Sequence, residues 1–169
     1  MATATVGPMA SEVTTRPLTG DDRELLRTAT LANLNWTGEA RFGLRDVDTR
    51  PDLRHYTGFR PERGDLGLVA ERDGRSVGVV WVLFLDVHDP GYGFVADGVP
   101  ELSIWVAPGS RGRGLGGGLL RAALDEARRR GVERVSLSVE AGNPAVHLYR
   151  AAGFRPVPGA AEGTMAVDL

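Results

Sequence analysis

The chain has 169 residues, of which 42% are hydrophobic and 25% are charged, and its formal net charge is −2. This length and composition suffice for one globular domain with a hydrophobic core. The weakly negative charge argues against nucleic acid as the main partner, because nucleic-acid-binding domains usually carry a basic surface. The chain has no cysteine, which excludes disulfides, thiolate metal sites and an acyl-cysteine mechanism.

The N-terminal end lacks the pattern of a secretion signal. Residues 1–11 are small and polar, without a basic start followed by an apolar run, and are predicted to form a disordered tail. The most apolar segment, Val77–Val87, is too short to cross a bilayer. We therefore expect a single domain over residues 12–169 in a cytoplasmic protein that has no membrane partner.

The order of predicted elements is that of a mixed α/β protein. Apolar periodicity predicts about four helices and seven strands, and the Asp73-Gly74 pair predicts a two-residue hairpin turn. The predicted strands are Glu12–Arg16, Leu68–Glu71, Ser76–Asp86, Glu101–Ala107, Val135–Val139, Phe154–Val157 and Thr164–Leu169. The predicted helices are Asp21–Leu34, a segment near Asp46–Tyr56, a helix that follows a run of glycines and ends at Gly131, and one that Asn143 and Pro144 open and Gly153 closes.

A glycine-rich run, Arg-Gly-Arg-Gly-Leu-Gly-Gly-Gly, occupies residues 111–118 between a predicted strand and a predicted helix. Consecutive glycines cost conformational entropy and add nothing to a core, so their use is close approach of the backbone to a ligand. The N-terminus of a helix favours an anion such as phosphate, and Arg111 and Arg113 add forked donors. The alternative is a flexible turn with surface arginines.

Two phosphate ligands fit this run by pattern. Gly112, Gly114 and Gly117 satisfy the dinucleotide fingerprint, and Glu140 stands where an acidic residue would bind a ribose. However, four residues separate the strand from the first glycine, and only 29 residues follow Glu140, too few for the rest of a doubly wound sheet. A nicotinamide-dependent oxidoreductase is therefore the weaker interpretation.

The stronger interpretation begins with Arg111-x-x-Gly114-x-Gly116, which closely resembles the acetyl-CoA pyrophosphate signature of the GNAT family of N-acetyltransferases. The segment ELSIWVAP from Glu101 resembles the family's central strand, and NPAVHLYRAAGF from Asn143 resembles its closing motif. The N-terminal part matches only in its order of elements. The resemblance implies the GNAT fold, a mostly antiparallel sheet with a splayed parallel pair of strands at the acetyl-CoA site.

The resemblance also implies acetyl-CoA as the cofactor and direct attack by an amine in a ternary complex. The pantetheine arm would lie along the central strand, which must then splay from Val135–Val139, and a backbone N–H near Val106 would stabilise the oxyanion. Asn143 matches a position that often contacts the cofactor, and it is equally suited to cap a helix. The implied cofactor-binding residues are Ile104, Trp105, Val106, Arg111, Gly112, Arg113, Gly114, Leu115, Gly116, Gly117, Asn143 and Tyr149.

Two residues are the predicted catalytic groups. Tyr149 matches the position of the family's general acid. A phenol suits this role, because it is protonated at neutral pH and can donate its proton to a departing thiolate. The alternative is that Tyr149 is a core residue without a catalytic role. Glu101 resembles the family's strand glutamate and is predicted to be the general base, directly or through water. His88 is a second candidate for the base, whereas His55 and His147 are expected to be solvated.

The acceptor stays open at this point. Trp36–Arg63 and Val87–Gly98 are expected to line its site, but their charges nearly balance, and both a small-molecule amine and a peptide amine fit. A non-catalytic acyl-CoA-binding module is the alternative to an enzyme. No metal is expected, and the family resemblance suggests a homodimer.

Overall fold

A seven-stranded mixed sheet organises the computed structural model, which describes residues 12–169. The strand order is β1-β2-β3-β4-β5-β7-β6, and β4–β5 is the parallel neighbour pair in this sheet. The strands are β1 (Thr14–Pro17), β2 (Leu66–Arg72), β3 (Arg75–Leu83), β4 (Glu101–Val106), β5 (Arg134–Ser138), β6 (Arg155–Pro156) and β7 (Thr164–Asp168). The predicted mixed α/β fold with one parallel pair is confirmed. The predicted tail, residues 1–11, lies outside the described residues.

The β2–β3 hairpin turns at the predicted residues. Asp73 and Gly74 both have positive φ angles, 53° and 72°, as a two-residue hairpin turn of this hand requires. Arg72 pairs with Arg75 across the turn. The second half of β3 is buried throughout, in agreement with its continuous apolar sequence.

Helices cover both faces of the sheet, and the core is correspondingly divided into two clusters of buried residues. One cluster lies between the sheet and α4, and the other lies on the α1 side. The five helices are α1 (Arg23–Leu34), α2 (Leu44–Thr49), α3 (Pro51–Arg54), α4 (Leu115–Arg129) and α5 (Ala145–Ala151). Helix α4 buries Leu119, Leu120, Ala123, Leu124 and Ala127, which follows its predicted apolar periodicity.

The helix predicted near Asp46–Tyr56 is wrong as a continuous element, so there are five described helices rather than about four. Helix α2 ends before Arg50, which is extended (φ −74°, ψ 127°), and α3 then begins at Pro51. Proline lacks an N–H and disfavours helical geometry in the preceding residue, which explains the break. The chain continues into a 3₁₀ turn, His55–Thr57, that buries Tyr56.

Strands β4 and β5 separate almost as soon as they meet. Their parallel pairing consists of Glu101 with Ser136, beside a hydrogen bond of 2.9 Å from the Ser136 N–H to the Pro100 carbonyl. The remaining residues of β4 stay paired with β3. The separation opens a gap between the two central strands, as the predicted splay requires.

Within the described part of the chain, every helix is too short or too polar to span a membrane.

Candidate active site

A cavity of about 1010 Å³ opens where β4 and β5 diverge. Its wall has two parts, which we call the α4 half and the α1 half. The α4 half includes Val106, Arg111, Gly112, Gly116, Asn143, Leu148 and Tyr149. The α1 half includes Thr30, Asn33, Trp36, Arg41, Phe42, Tyr56, Tyr92, Glu101, Ser103 and Trp105.

The start of helix α4 presents unpaired backbone donors beside the cavity. Gly112 and Gly114 have φ angles of 74° and 79°, a conformation that L residues with side chains rarely adopt. The first bond of the helix runs from the Gly118 N–H to the Gly114 carbonyl at 3.0 Å. The N–H groups of residues 115–117 therefore have no partner inside the helix, and this end of the helix can accept an anion.

The edge of β4 that faces the gap is partly capped by side chains. The Asn33 amide donates to the Ile104 carbonyl at 3.0 Å, and the Arg111 Nε–H donates to the Val106 carbonyl at 3.0 Å. By contrast, the Ala107 N–H bonds the Val77 carbonyl, so the backbone of odd-numbered residues here faces β3. Ile104 and Val106 thus direct their backbone groups into the gap.

Glu101, at the start of β4, lies in the α1 half and is 5% exposed. Its Oε1 accepts a hydrogen bond from the Tyr56 hydroxyl at 2.8 Å, and that hydroxyl accepts the Tyr92 N–H at 2.8 Å. Burial raises the pKa of Glu101 to about 7, although the Tyr56 hydroxyl and the nearby Gly93 N–H oppose the shift. A carboxyl group with this pKa can exchange a proton near neutral pH.

Gly91 explains how the loop before β4 closes over that carboxylate. A Cβ atom at residue 91 would collide with Glu101 Oε2 and lie 2.8 Å from the Tyr56 hydroxyl. Tyr92 stacks on Tyr56 with ring centroids 6.2 Å apart, and its own hydroxyl donates to Asp52 at 2.6 Å. The loop and the 3₁₀ turn together enclose Glu101.

Tyr149 lies in α5 on the opposite half and is 8% exposed. Its ring packs edge-on against Phe154, with centroids 6.0 Å apart. Burial raises the pKa of Tyr149 to about 12, and no hydrogen bond to its hydroxyl from residues 12–169 contributes to that shift. The phenol is therefore protonated at neutral pH and available to a group in the cavity.

Asn143 caps α5. Its Oδ1 accepts the Ala145 N–H at 2.9 Å, which is the capping role proposed from the sequence. The helix begins at Ala145, one residue later than predicted, although Pro144 already has helical angles (φ −63°, ψ −16°). Asn143 also lines the cavity.

An ion pair ties the segment after α1 to the segment after β5. The Arg41 guanidinium bonds both oxygens of Glu140 at 2.8 and 2.9 Å, and the Trp36 indole N–H bonds Glu140 at 2.8 Å. These two partners, Arg41 foremost, lower the pKa of Glu140 to about 2. Glu140 is thus engaged by the protein itself at the position where a dinucleotide site would use it for a ribose.

Most of the predicted site residues line the cavity, but several do not. Glu101, Ile104, Trp105, Val106, Arg111, Gly112, Gly116, Asn143 and Tyr149 do so. Arg113, Gly114 and Leu115 line a separate cleft of about 420 Å³ beside Arg72 and Ser110, and Gly117 lines neither.

The histidines differ from expectation. His88 is exposed and lies outside the cavity lining. His55, expected to be solvated, is buried, and its Nδ1 lies 2.8 Å from an oxygen of Asp89. The prediction for His55 was wrong because the 3₁₀ turn after α3 buries it together with Tyr56 and Thr57. His147 is exposed, as expected.

Several residues of the α1 half were not identified from the sequence as individual site residues. Thr30 lies on the buried face of helix α1, and Asn33 lies one turn later on the same side, where it is exposed and bonds the Ile104 carbonyl. Tyr56 was one of several aromatic residues expected in a pocket. A polar residue on the apolar face of a helix was the available signal for the first two. Among residues 12–169, no cluster of three or more His, Asp or Glu side chains could hold a metal ion.

Known proteins show the same fold and sequence signature. The Acetyltransferase (GNAT) family matches residues 30–154. A streptothricin acetyltransferase from Streptomyces lavendulae is 52% identical over 142 residues, covering 75% of this chain and 69% of the relative. A mycothiol acetyltransferase from Beutenbergia cavernae is 39% identical over 115 residues, covering 57% of this chain. The chain spans only 37% of that relative's length, and 26% of two further mycothiol acetyltransferases.

Solved structures agree. A ribosomal-protein-alanine N-acetyltransferase from Brucella melitensis has a TM-score of 0.63 and 29% identity, covering 92% of this chain and 99% of its own. A GNAT acetyltransferase from Brucella melitensis in complex with acetyl-CoA has a TM-score of 0.62 at 22% identity, covering 94% and 89%. The family match covers most of the chain, and the glycine turn, splayed strands and closing motif occupy the expected places. The chain belongs to the GNAT family of acetyltransferases.

Proposed function

We propose that this protein transfers an acetyl group from acetyl-CoA to a small-molecule amine by direct attack in a ternary complex. The observation that carries the proposal is the cavity between two diverging strands, with Gly112 and Gly116 of the glycine turn on one half and a buried carboxyl of pKa about 7 on the other. The streptothricin and mycothiol acetyltransferases among its relatives are named for small molecules.

The α4 half has the chemistry to hold acetyl-CoA. The N–H groups of residues 115–117 and the guanidinium of Arg111 suit a pyrophosphate, and the absence of a Cβ at Gly112 and Gly116 leaves room beside them. The Ile104 N–H, which faces the gap, suits an amide carbonyl of a pantetheine arm, whereas the Ile104 and Val106 carbonyls already accept hydrogen bonds from Asn33 and Arg111. When bound, acetyl-CoA would supply the activated acetyl thioester.

Glu101 would take a proton from the acceptor. An amine with an ordinary pKa of about 10 is mostly protonated at neutral pH, so a base must remove its proton before attack. Burial has brought the pKa of Glu101 to about 7, which is a suitable value for that task. The Tyr56 hydroxyl fixes one carboxylate oxygen, so the base has a defined orientation.

Tyr149 and the Val106 backbone N–H would act on the acetyl thioester. The Tyr149 hydroxyl keeps its proton at neutral pH and has no protein partner among the described residues, so it can deliver that proton to a thiolate leaving group. The Val106 N–H points into the gap and is the proposed donor to a developing oxyanion. One such preorganised donor contributes roughly 10²–10³ in rate.

The alternative is a module that binds acyl-CoA without transferring the acyl group. The buried carboxyl opposite Tyr149 favours an enzyme. A protein that only binds acyl-CoA needs no base of pKa about 7, and burying the carboxylate lowers the stability of the fold. A nicotinamide-dependent oxidoreductase has little support, since the sheet is largely antiparallel and Glu140 is held by Arg41 and Trp36.

A thermal-shift titration with acetyl-CoA, CoA and NAD in parallel tests the proposal, followed by an assay of CoA release with a panel of amines. A ligand at a hundred times its Kd should stabilise the fold by about 2.7 kcal/mol. We expect shifts with both CoA compounds, none with NAD, and amine-dependent CoA release. A shift without release for any amine would support the binding module, and a shift with NAD alone would refute the assignment of the glycine turn.

A further inference from the structure

Buried polar atoms without partners are concentrated at the cavity. In the described part of the chain, four buried side-chain atoms make no hydrogen bond: Thr30 Oγ1, His55 Nε2, Glu101 Oε2 and Trp105 Nε1. All except His55 belong to residues that line the α1 half. Because most buried polar groups in proteins are hydrogen-bonded, three such exceptions around one cavity call for a common explanation.

Thr30 differs from the other threonine of the same helix. The Thr28 hydroxyl bonds the Glu24 carbonyl four residues earlier at 3.1 Å, which is the usual way for threonine to satisfy itself in a helix. Thr30 is only 5% exposed, yet its hydroxyl makes no such bond. Thr30 lines the cavity, so a buried hydroxyl without a partner lies at its wall.

Trp105 stands on the same face of β4 as Glu101. Side chains alternate along a strand, so residues 101, 103 and 105 share one face, and Trp105 accordingly packs with the α1-side cluster. The indole N–H is a donor only, and it too is left unpaired. Ser103 lies between them on the cavity wall, and Glu101 and Trp105 are about 13 Å apart along the strand.

The position of Trp105 on this face of β4 also changes the role expected for it. Its backbone faces β3, where it pairs with Val79, and its indole lies on the α1 face. Neither group is directed towards the glycine turn. Trp105 is therefore better suited to contact an acceptor than to bind the cofactor.

We propose that the α1 half selects an amine whose carbon skeleton carries hydroxyl or carbonyl oxygens, with the amine at Glu101 and the oxygens at Thr30 Oγ1 and the Trp105 indole N–H. The class comprises amino alcohols, amino sugars and amino amides, in preference to plain alkylamines. The indole N–H can only donate a hydrogen bond and so requires an acceptor atom on the substrate, whereas the threonine hydroxyl can donate or accept. This inference rests on the proposed acetyl transfer.

A matched pair of variants and a matched pair of acceptors test the inference. The acceptors are pentylamine and the set of aminopentanols that carry one hydroxyl at successive carbons. The variants are Thr30→Val, which keeps the side-chain shape, and Trp105→Phe, with Thr28→Val as the control on the same helix. For the best aminopentanol, we expect Thr30→Val or Trp105→Phe to raise KM on the order of tenfold, the effect of losing one hydrogen bond.

Three further results are expected. Each variant should raise the KM for the aminopentanol more than the KM for pentylamine, and Thr28→Val, outside the cavity lining, should change neither value. The free Thr30→Val protein should melt at or above the wild-type temperature, because an apolar group of the same shape replaces an unpaired hydroxyl. A group that served structure alone would give the opposite result, a lower melting temperature.

The inference is overturned if no aminopentanol is acetylated faster than pentylamine, if the variants weaken both acceptors equally, or if Thr30→Val lowers the melting temperature. Failure of the proposed function is a different result. In that case acetyl-CoA gives no thermal shift, or no amine in the wider panel supports CoA release.

Discussion

The α4 half of the cavity is built from two short stretches of chain, whereas the α1 half is assembled from segments that are far apart in the sequence. Residues 104–116 and 143–149 provide nearly all of the α4 half, through the backbone of the glycine turn and the side chains of residues 143–149. In the α1 half, Tyr56 bonds Glu101 across 45 positions, and Asn33 bonds Ile104 across 71. The chemistry differs as well, because the α1 half relies on buried side chains.

This difference affects how each half responds to mutation. A backbone donor at a helix start is insensitive to its own side chain, provided that no Cβ obstructs the ligand. A buried carboxyl, by contrast, depends on every group that encloses it. We therefore expect substitutions of the groups that enclose Glu101 to change the pH dependence of the reaction, and those in the α4 half to change its rate alone.

The largest effect is expected for Glu101→Gln. Loss of a general base typically costs 10²–10⁴ in rate, so kcat/KM should fall about 10³-fold. The wild-type rate should rise with pH through about 7, as Glu101 loses its proton, whereas the variant should lack this limb. The pH–rate profiles measure this, with Glu62→Gln, an exposed carboxylate outside the cavity, as the control.

The same variant should also alter stability. Burial raises the pKa of Glu101 from 4.5 to about 7, so the folded state binds this proton more tightly than the unfolded chain does. The resulting contribution is present below about pH 4.5 and is lost as the pH rises through about 7. At about pH 8, Glu101→Gln should melt at a higher temperature than the wild type, and near pH 4 the two should coincide. Equal melting at both pH values would show that the carboxyl is not held in a desolvated site.

The next largest effect is expected for Gly91→Ala. The added Cβ would displace the Glu101 carboxylate and the Tyr56 hydroxyl, and a displacement of about 1 Å can cost 10²-fold in rate. Steady-state kinetics should show that loss, together with unchanged affinity for acetyl-CoA. Gly20→Ala is the control, because a Cβ there meets no atom within 4 Å. Full activity in Gly91→Ala would argue against Glu101 as the base.

Tyr149→Phe tests the α4 half. Removing a general acid should lower kcat on the order of 10²-fold, whereas acetyl-CoA should bind almost as before, because only one hydroxyl is lost. The pH dependence near 7 should persist, since Glu101 is untouched. Isothermal titration and kinetics give the two values, and unaltered turnover would remove Tyr149 from the mechanism.

The smallest effect is expected for Tyr56→Phe. The lost hydrogen bond stabilised the charged form of Glu101, so the pKa of Glu101 should rise further and the pH–rate profile should move to higher pH. At neutral pH, kcat/KM should fall about tenfold. Tyr92→Phe is the matched control, because it keeps the backbone N–H that bonds Tyr56 and loses only the bond to Asp52. An identical shift in both variants would show that loop packing, rather than the Tyr56 hydroxyl, sets the profile.

The sequence predicted much of the fold, including the β2–β3 turn at Asp73-Gly74, the long helix α4 and the splay of β4 from β5. The helix prediction failed near Pro51. There the apolar pattern indicated one continuous helix, but proline disfavours helical geometry in the residue before it and divides the segment into two short helices. Glu101 and Tyr149 were predicted as catalytic candidates through motifs. Tyr56 and Thr30 could not be assigned, because aromatic and apolar-face residues usually belong to the core.

The sequence alone thus determined the order of elements, the family and the glycine turn, because each depends on residues that are close together in the chain. Only the tertiary structure decided the environment of Glu101, the separation of Arg113 from the cavity, and the unpaired state of Thr30 and Trp105. Burial and hydrogen bonding between distant segments are properties of the packed molecule. Burial and hydrogen bonding set the pKa of Glu101 and leave the Thr30 hydroxyl and the Trp105 indole N–H without partners. The spacing of residues along the chain does not predict either property.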